Sequence, residues 1–315
     1  MKMNKVKMKT KERRKNSVGL IVVALVVLGA YTLTMIIPMY WALLNSLKSA
    51  NDFSMKGIDG TINCLFGFPQ LHVLDDSSSA WHFDNYVKVF SAMSVQVQTR
   101  DVYALEMMAY SLLYALGATF VSLTAHFLVA YACAKYEFKL GKIIYAFVVV
   151  AMILPIVGAL PSEIRMMHVL GLYDNYFGVL FMKSGFLGMN FLIFYATFKS
   201  IPNSFAEAAR IDGAGHFSIM FKIILPLSIN TVIAVGLLLF IEFWNDYYTP
   251  MIYLPSMPTV ALGLYKVQYA VATEISQSVP MKLAACFIVA APMIVLFVAF
   301  KKKIIGNIMV GGLKG

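Results

Sequence analysis

The residues best able to do chemistry in this sequence sit around position 245. There an otherwise apolar stretch carries Glu242, Trp244, Asn245, Asp246 and Tyr247, with Tyr248 next. Ionisable groups are costly inside a bilayer and face a protein interior or a wet cavity when they occur there. An aromatic ring beside hydrogen-bonding groups suits a sugar, whose faces are apolar and whose rim is polar. Lining of a translocation path is therefore one reading of the five. The other is anchoring at the headgroup level, which Trp and Tyr favour. His126 admits a proton relay or a helix-to-helix hydrogen bond. No catalytic constellation accompanies them. The chain has no G-x-x-x-x-G-K-[ST] phosphate loop, no H-E-x-x-H and no serine elbow. Cys64, Cys133 and Cys286 are scattered, without disulfide or metal spacing. The expectation is a chain that is not an enzyme and holds no cofactor or metal of its own.

A second group lies in the polar loop from Ser200 to Gly215. Ser204 with Glu207 three residues on fits a capping box, which satisfies orphaned N–H groups at a helix start. Gly213 and Gly215 suit the left-handed stop of a helix end, so a short helix is expected over 204–212. Ala206, Ala209 and Gly213 make a small-residue stripe along it, which permits close approach to another surface. Phe217, Met220, Phe221 and Ile224 then follow at amphipathic spacing, and Pro226 is expected to bend the chain into the next helix. The expected product is an elbow joined to two membrane helices, able to pass on a push from a partner.

Within this loop, Glu207-Ala208-Ala209, Gly213, Ile223, Leu225 and Pro226 match the spacing EAA-x3-G-x9-I-x-LP at seven positions. The pattern resembles the loop shared by membrane subunits of binding-protein-dependent ABC importers. Further short matches resemble the carbohydrate, maltose-type branch of that family. They are Asn85-Tyr86, Ala130-Tyr131, Met152-Ile153-Leu154-Pro155, Gly171-Leu172-Tyr173-Asp174, Trp244-Asn245-Asp246 and the terminal Gly311-Gly312-Leu313-Lys314-Gly315. The resemblance implies that the elbow docks on an ATPase subunit, with Glu207, Ala208, Ala209, Asp212, Gly213, Ile223, Leu225 and Pro226 as the coupling residues. It implies two ATPase subunits carrying the ATP and Mg, a second and non-identical permease, and an extracytoplasmic solute-binding protein. The outer segment 48–106 is longer than the shorter subunit of that branch has, a departure that bears on contact with the binding protein.

These residues need elements to hold them, and composition names the medium. The 315 residues are 60% hydrophobic and 13% charged, about half the charged share of a soluble domain. Six apolar runs are free of charge: 16–47, 107–134, 143–162, 184–198, 223–241 and 283–300. A crossing needs roughly 20 apolar residues. Five runs reach or approach that length, and the fourth does so by extending past Lys183, whose stem can snorkel. Every backbone N–H in lipid needs an internal partner, which selects helices. The expected fold is an all-α integral membrane protein with six transmembrane helices and an EAA-type cytoplasmic coupling helix. Residues 1–17 form a basic cytoplasmic tail and 18–315 the transmembrane domain. The outer segment is expected either as a small cap or as a loop ordered by its neighbours. Pro38, Pro155 and Pro292 are expected to bend their spans, and Ser111, Ser122 and Thr124 to serve helix packing.

With the N-terminus inside, the inner segments hold 18 of the 26 Lys and Arg residues against four of the 16 acids. That is the positive-inside bias. It puts both termini in the cytoplasm of a bacterial cell and assigns the net charge of +10 to topology rather than to nucleic acid. The reading is a multi-pass permease of the cytoplasmic membrane for a sugar or oligosaccharide. It would work by alternating access driven by a separate ATPase. The alternative is a secondary transporter or channel acting without one.

Overall fold

The computed structural model describes residues 2–54, 67–69, 81–154, 158–269 and 278–311, with the backbone alone at 2–18, 51, 54 and 302–311. Several sequence features lie outside the described residues: much of the outer segment 48–106, with Cys64 in it, Pro155 and residues 312–315. The chain divides into two compact units, Met1–Lys88 with Gln277–Phe287, and Val89–Ser276 with Ile288–Gly315.

In the first unit, helix α1 (Lys2–Ser46) runs 45 residues. Its apolar part, Gly19–Ser46, has no buried residue in its most hydropathic window. Pro38 lies inside the helix, and the helical assignment runs through it. Beyond α1 come the short α2 (Ala50–Ser54) and α3, which begins at Asp84 and ends at Ala92. The chain there is closed by side chains: Asn85 Nδ2 donates to Ser46 O and Lys48 O, both at 2.9 Å, and Tyr86 OH meets Ser46 Oγ at 2.7 Å. The Asn85-Tyr86 pair thus fixes the chain leaving α1.

The second unit begins with a hairpin, β1 (Ser94–Val97) and β2 (Arg100–Tyr103), paired antiparallel from Ser94↔Tyr103 to Val97↔Arg100. The chain is therefore not all-α. Gln98 turns the hairpin at φ +53°, and Arg100 Nη2 reaches Glu106 Oε1 at 2.8 Å across the step into α4 (Ala104–Lys135). The outer segment is partly built rather than a bare loop.

Helix α4 is the hub of this unit. It packs against α8 (Met189–Ser200) and α11 (Leu225–Trp244) along its length, and against α5 (Lys139–Ile153), α7 (Tyr176–Met182) and α13 (Val260–Tyr269). Rings knit the α4–α8 seam: Phe127 meets Phe194 and Phe198 edge-on at centroid distances of 5.8 and 5.1 Å. Helix α6 (Leu160–Val169) lies between α5 and α7, and α14 (Val279–Gly311) is the last helix, with the helical assignment running through Pro292.

Four described helices are long and apolar enough to cross a membrane: Gly19–Ser46, Ala104–Lys135, His216–Trp244 and Val279–Lys301. They coincide with the first, second, fifth and sixth runs of the sequence. The third and fourth runs fall on α5 and α8, of 15 and 12 residues, about 22 and 18 Å at a rise of about 1.5 Å per residue. Each is shorter than a bilayer core, and each has a short helix beside it, α6 after α5 and α7 before α8. Gly171-Leu172-Tyr173-Asp174 forms the turn between α6 and α7, with Gly171 at φ +65° and Asp174 at +52°. Asp174 Oδ1 accepts from Ser256 N and Oγ, at 3.0 and 2.7 Å, which pins that turn to the segment after α12 (Tyr248–Tyr253).

Candidate functional site

Two regions compete for function, at opposite ends of α11. The first is helix α9 (Ser204–Ile211), which has no buried residue. It starts at Ser204 as expected, with Ser204 as its first residue rather than its cap. Asn203 is the cap, its carbonyl accepting from Ala206 N and Glu207 N at 2.9 and 3.0 Å, and no side-chain capping bond forms. The physical reason is on α4: Lys135 Nζ takes Asn203 Oδ1 at 3.1 Å and also donates to Ile201 O. The other end follows expectation. Ala214 N donates to Ala209 O, Gly213 N to Arg210 O, and Gly213 sits at φ +83°, the paired bonds of a Schellman stop. Gly215, at φ −73°, serves instead as the start of α10 (His216–Ile219). Just beyond it His216 Nδ1 lies 2.9 Å from Tyr136 OH. Two consecutive residues at the end of α4, Lys135 and Tyr136, thus hold the two flanks of α9.

The expected amphipathic face over 217–224 does not form as spaced. Ile219, Met220 and Ile224 are buried, whereas Phe217 is 76% exposed and Phe221 is exposed. The cause is a π-helical turn, Met220–Ile224, where Leu225 N donates to Met220 O five residues back. That extra residue per turn rotates the register. It also changes the role of Pro226: the helical assignment continues through it from the π turn into α11, with no break.

The eight coupling residues consequently divide. Glu207, Ala208, Asp212 and Gly213 are exposed and Ala209 is half-buried, all on α9 and its stop. Ile223, Leu225 and Pro226 belong to the π turn and the foot of α11, away from that helix. Sequence reasoning missed the apolar surface around α9: Ile211 is 87% exposed, and Phe205 and Phe217 are exposed with it. The signal was available, since these residues lie off the small-residue stripe.

At the far end of α11 the five candidates do not form one cluster. Asp246 is drawn into a partly buried knot, accepting from Tyr114 OH at 2.8 Å and Lys183 Nζ at 3.1 Å on Oδ2, and from Thr249 N at 2.9 Å on Oδ1. Lys183 also donates to Thr249 Oγ1. Trp244 is buried, its Nε1 donating to Val289 O at 3.1 Å. These two residues join helices. Glu242 is exposed. Only Asn245 and Tyr247 open into a cleft of about 400 Å³, shared with Tyr265, Gln268 and Tyr269. Sequence reasoning missed the α13 contribution because twenty residues separate Tyr265 from Asn245. His126 bonds its own helix, Nδ1 to Ser122 O at 2.7 Å. Ser111 does join helices, accepting from Val260 N, whereas Thr124 bonds only Phe120 O on its own helix.

A chain similar in fold is that of a bacterial ABC transporter involved in the import of the acidic polysaccharide alginate, with a TM-score of 0.69 at 24% identity over 89% of this chain and 95% of that one. In sequence the protein is similar to the probable ABC transporter permease protein YurM of Bacillus subtilis (strain 168), 25% identical over 98% of this chain and 94% of the relative. It is likewise similar to the arabinooligosaccharides transport system permease protein AraQ of the same strain, at 27% over 90% and 92%. The maltodextrin transport system permease protein MdxG, also from that strain, is 28% identical over 76% and 83%. Residues 126–304, from mid-α4 through the exposed α9 into the last helix, match the model of one family, and the chain belongs to it: the binding-protein-dependent transport system inner membrane components.

Proposed function

We propose that this chain is a permease subunit of an ATP-driven importer of a sugar or oligosaccharide, with α9 as its coupling helix. The observation that carries the reading is an eight-residue helix with no buried side chain, held at both flanks by α4 and followed by the long helix of the fifth span. A helix so exposed yet so firmly tethered serves to receive force. Docked in the cleft of an ATPase subunit, α9 would present Glu207, Ala208, Asp212 and Gly213 with Ile211 and Phe205 as apolar contacts. Its displacement would reach α8 and α11 through the chain, and α4 through Lys135 and Tyr136. The partner ATPases, two of them, bind the ATP and Mg. A second, non-identical permease completes the pathway, and a solute-binding protein delivers the ligand to the outer side.

The reading keeps six crossings, with α5 and α8 completing theirs through α6 and α7, and both termini in the cytoplasm. A carrier working without an ATPase leaves the exposed apolar residues of α9 without a purpose.

The test is to isolate the tagged chain from native membranes in mild detergent and identify its companions by mass spectrometry. The expected result is an ATPase with a phosphate loop and a second permease. In the same complex Glu207→Lys should abolish uptake while the chain still inserts. Recovery of the chain alone, still transporting after reconstitution, overturns the proposal.

A further inference from the structure

The cleft at the outer end of α11 has a composition that selects its ligand. Its lining holds three tyrosines and two carboxamides, Tyr247, Tyr265, Tyr269, Asn245 and Gln268, and, among the described residues, no charged side chain. Tyr265 is the middle of a ring ladder: Tyr247 stacks on it at 4.4 Å with an interplanar angle of 11°, and Tyr269 lies 4.9 Å from it at 47°. The middle ring thus contacts both others. The outer rings keep open surface, Tyr247 being 38% exposed and Tyr269 68%. Among the described residues the three phenol hydroxyls and the Gln268 amide have no hydrogen-bond partner, and Asn245 spends only its Nδ2, on Ile241 O. The cleft therefore offers the open ring faces of Tyr247 and Tyr269 and neutral donors and acceptors, of which only Asn245 Nδ2 is spent on the fold.

The start of α13 is fixed on α4. Helix α13 starts where Val260 N donates to Ser111 Oγ of α4 at 2.7 Å, and Thr259 O accepts from Gly263 N at 2.9 Å. Gly263 faces the end of the Met107 side chain of α4, whose Sδ would lie 2.7 Å from a Cβ placed there. Charges nearby are withheld. Lys183 and Asp246 neutralise one another in their knot, and Lys266 lines a different, small pocket with Gln96, Gln98 and Asp174.

We infer that the Tyr247–Tyr265–Tyr269 ladder, with Asn245 and Gln268, is a carbohydrate contact site that takes an uncharged sugar on its path across the membrane. Anionic saccharides and glycerol phosphates are selected against, because an anion entering the cleft loses water and meets no cation. The open rings of Tyr247 and Tyr269 would seat the apolar face of a pyranose or furanose, while the amides and hydroxyls bond its rim. This is the usual plan of a small-molecule site, apolar surface with a few placed polar groups. The inference rests on the importer reading above, to which it adds the ligand class and the α13 residues.

The experiment uses the complete transporter in its native membranes. Cells are given two defined pools, one of neutral oligosaccharides (maltotriose, raffinose, arabinotriose) and one of anionic ligands (trigalacturonate, glycerol 3-phosphate), and accumulation is read by mass spectrometry. Uptake from the neutral pool is expected. Tyr269→Ala should raise KM about tenfold with the maximal rate retained, as loss of an aromatic contact predicts, and Tyr269→Phe should stay within about threefold of wild type because the ring remains. Gln268→Ala should also raise KM. Accumulation from the anionic pool alone overturns the inference. So does neutral uptake that Tyr269→Ala and Gln268→Ala leave unchanged, and so does accumulation from neither pool. Failure of the underlying reading looks different, because the ATPase and second permease would then not co-purify.

Discussion

Asp246 shows how a residue's chemistry depends on where its partners come from. In the chain it stands beside Trp244 and Asn245 as a candidate for the path, yet its carboxylate is spent on Tyr114 from α4, Lys183 after α7 and the backbone of Thr249. An ion pair this shielded holds elements together and is penalised when one partner is lost, since the other charge stays unpaired in a poorly solvated place. We expect Asp246→Asn or Lys183→Met alone to destabilise the purified transporter by on the order of 3 kcal/mol. The double variant should lose less than the sum, by roughly 1 kcal/mol or more. Thermal unfolding of the four proteins in one detergent closes that cycle, and strictly additive losses would show that the pair does not interact.

Among the elements, α9 and α4 form the unit on which the proposed energy coupling rests. The chain alone links α9 to α8 and α11. Only the folded structure adds Lys135 on Ile201 and Asn203, and Tyr136 on His216. If this clamp carries motion into α4, Lys135→Ala with Tyr136→Phe removes three hydrogen bonds and should leave the ATPase bound and hydrolysing while lowering solute imported per ATP by about fivefold or more, as the loss of at least about 1 kcal/mol predicts. The measurement is uptake and hydrolysis together in proteoliposomes. An unchanged ratio would restrict coupling to α8 and α11. The π turn beside Pro226 belongs to the same unit, since it joins the foot of α11 to α10 and turns Phe217 and Phe221 outward.

The whole molecule is an inner-membrane, multi-pass chain whose charge asymmetry gives a topology that labelling can check. In a variant with Cys64, Cys133 and Cys286 changed to Ser, Lys5→Cys and Lys303→Cys should react with an impermeant maleimide only after the membrane is opened. Asp101→Cys, on the exposed hairpin, should react in intact cells freed of their outer barrier. The reverse pattern would invert the orientation. The same scale explains the bare surface of the first span: in lipid an apolar helix side needs no protein cover, so α1 can present Leu20 to Tyr40 openly.

What the sequence determined by itself is what depends on near neighbours in the chain. Four long apolar runs become four long helices because each satisfies its own backbone within the run. The Gly213 stop forms because a left-handed residue and its two bonds span only a few positions. Family membership was legible for the same reason, as fixed spacings inside one loop. Tertiary structure decided the rest, wherever a distant group took the decisive bond. Lys135 holds the Asn203 side chain, Ile219 rather than Phe217 is buried, and Lys183 and Tyr114 draw Asp246 into a knot. Tertiary structure also carried Tyr265, Gln268 and Tyr269 to Asn245 and Tyr247, since the start of α13 is fixed by Ser111 of α4, some 150 residues earlier in the chain. Hydrogen bonds and ring contacts are short-ranged in space while indifferent to separation along the chain, so local spacing could name the elements but could not say which side chains would meet.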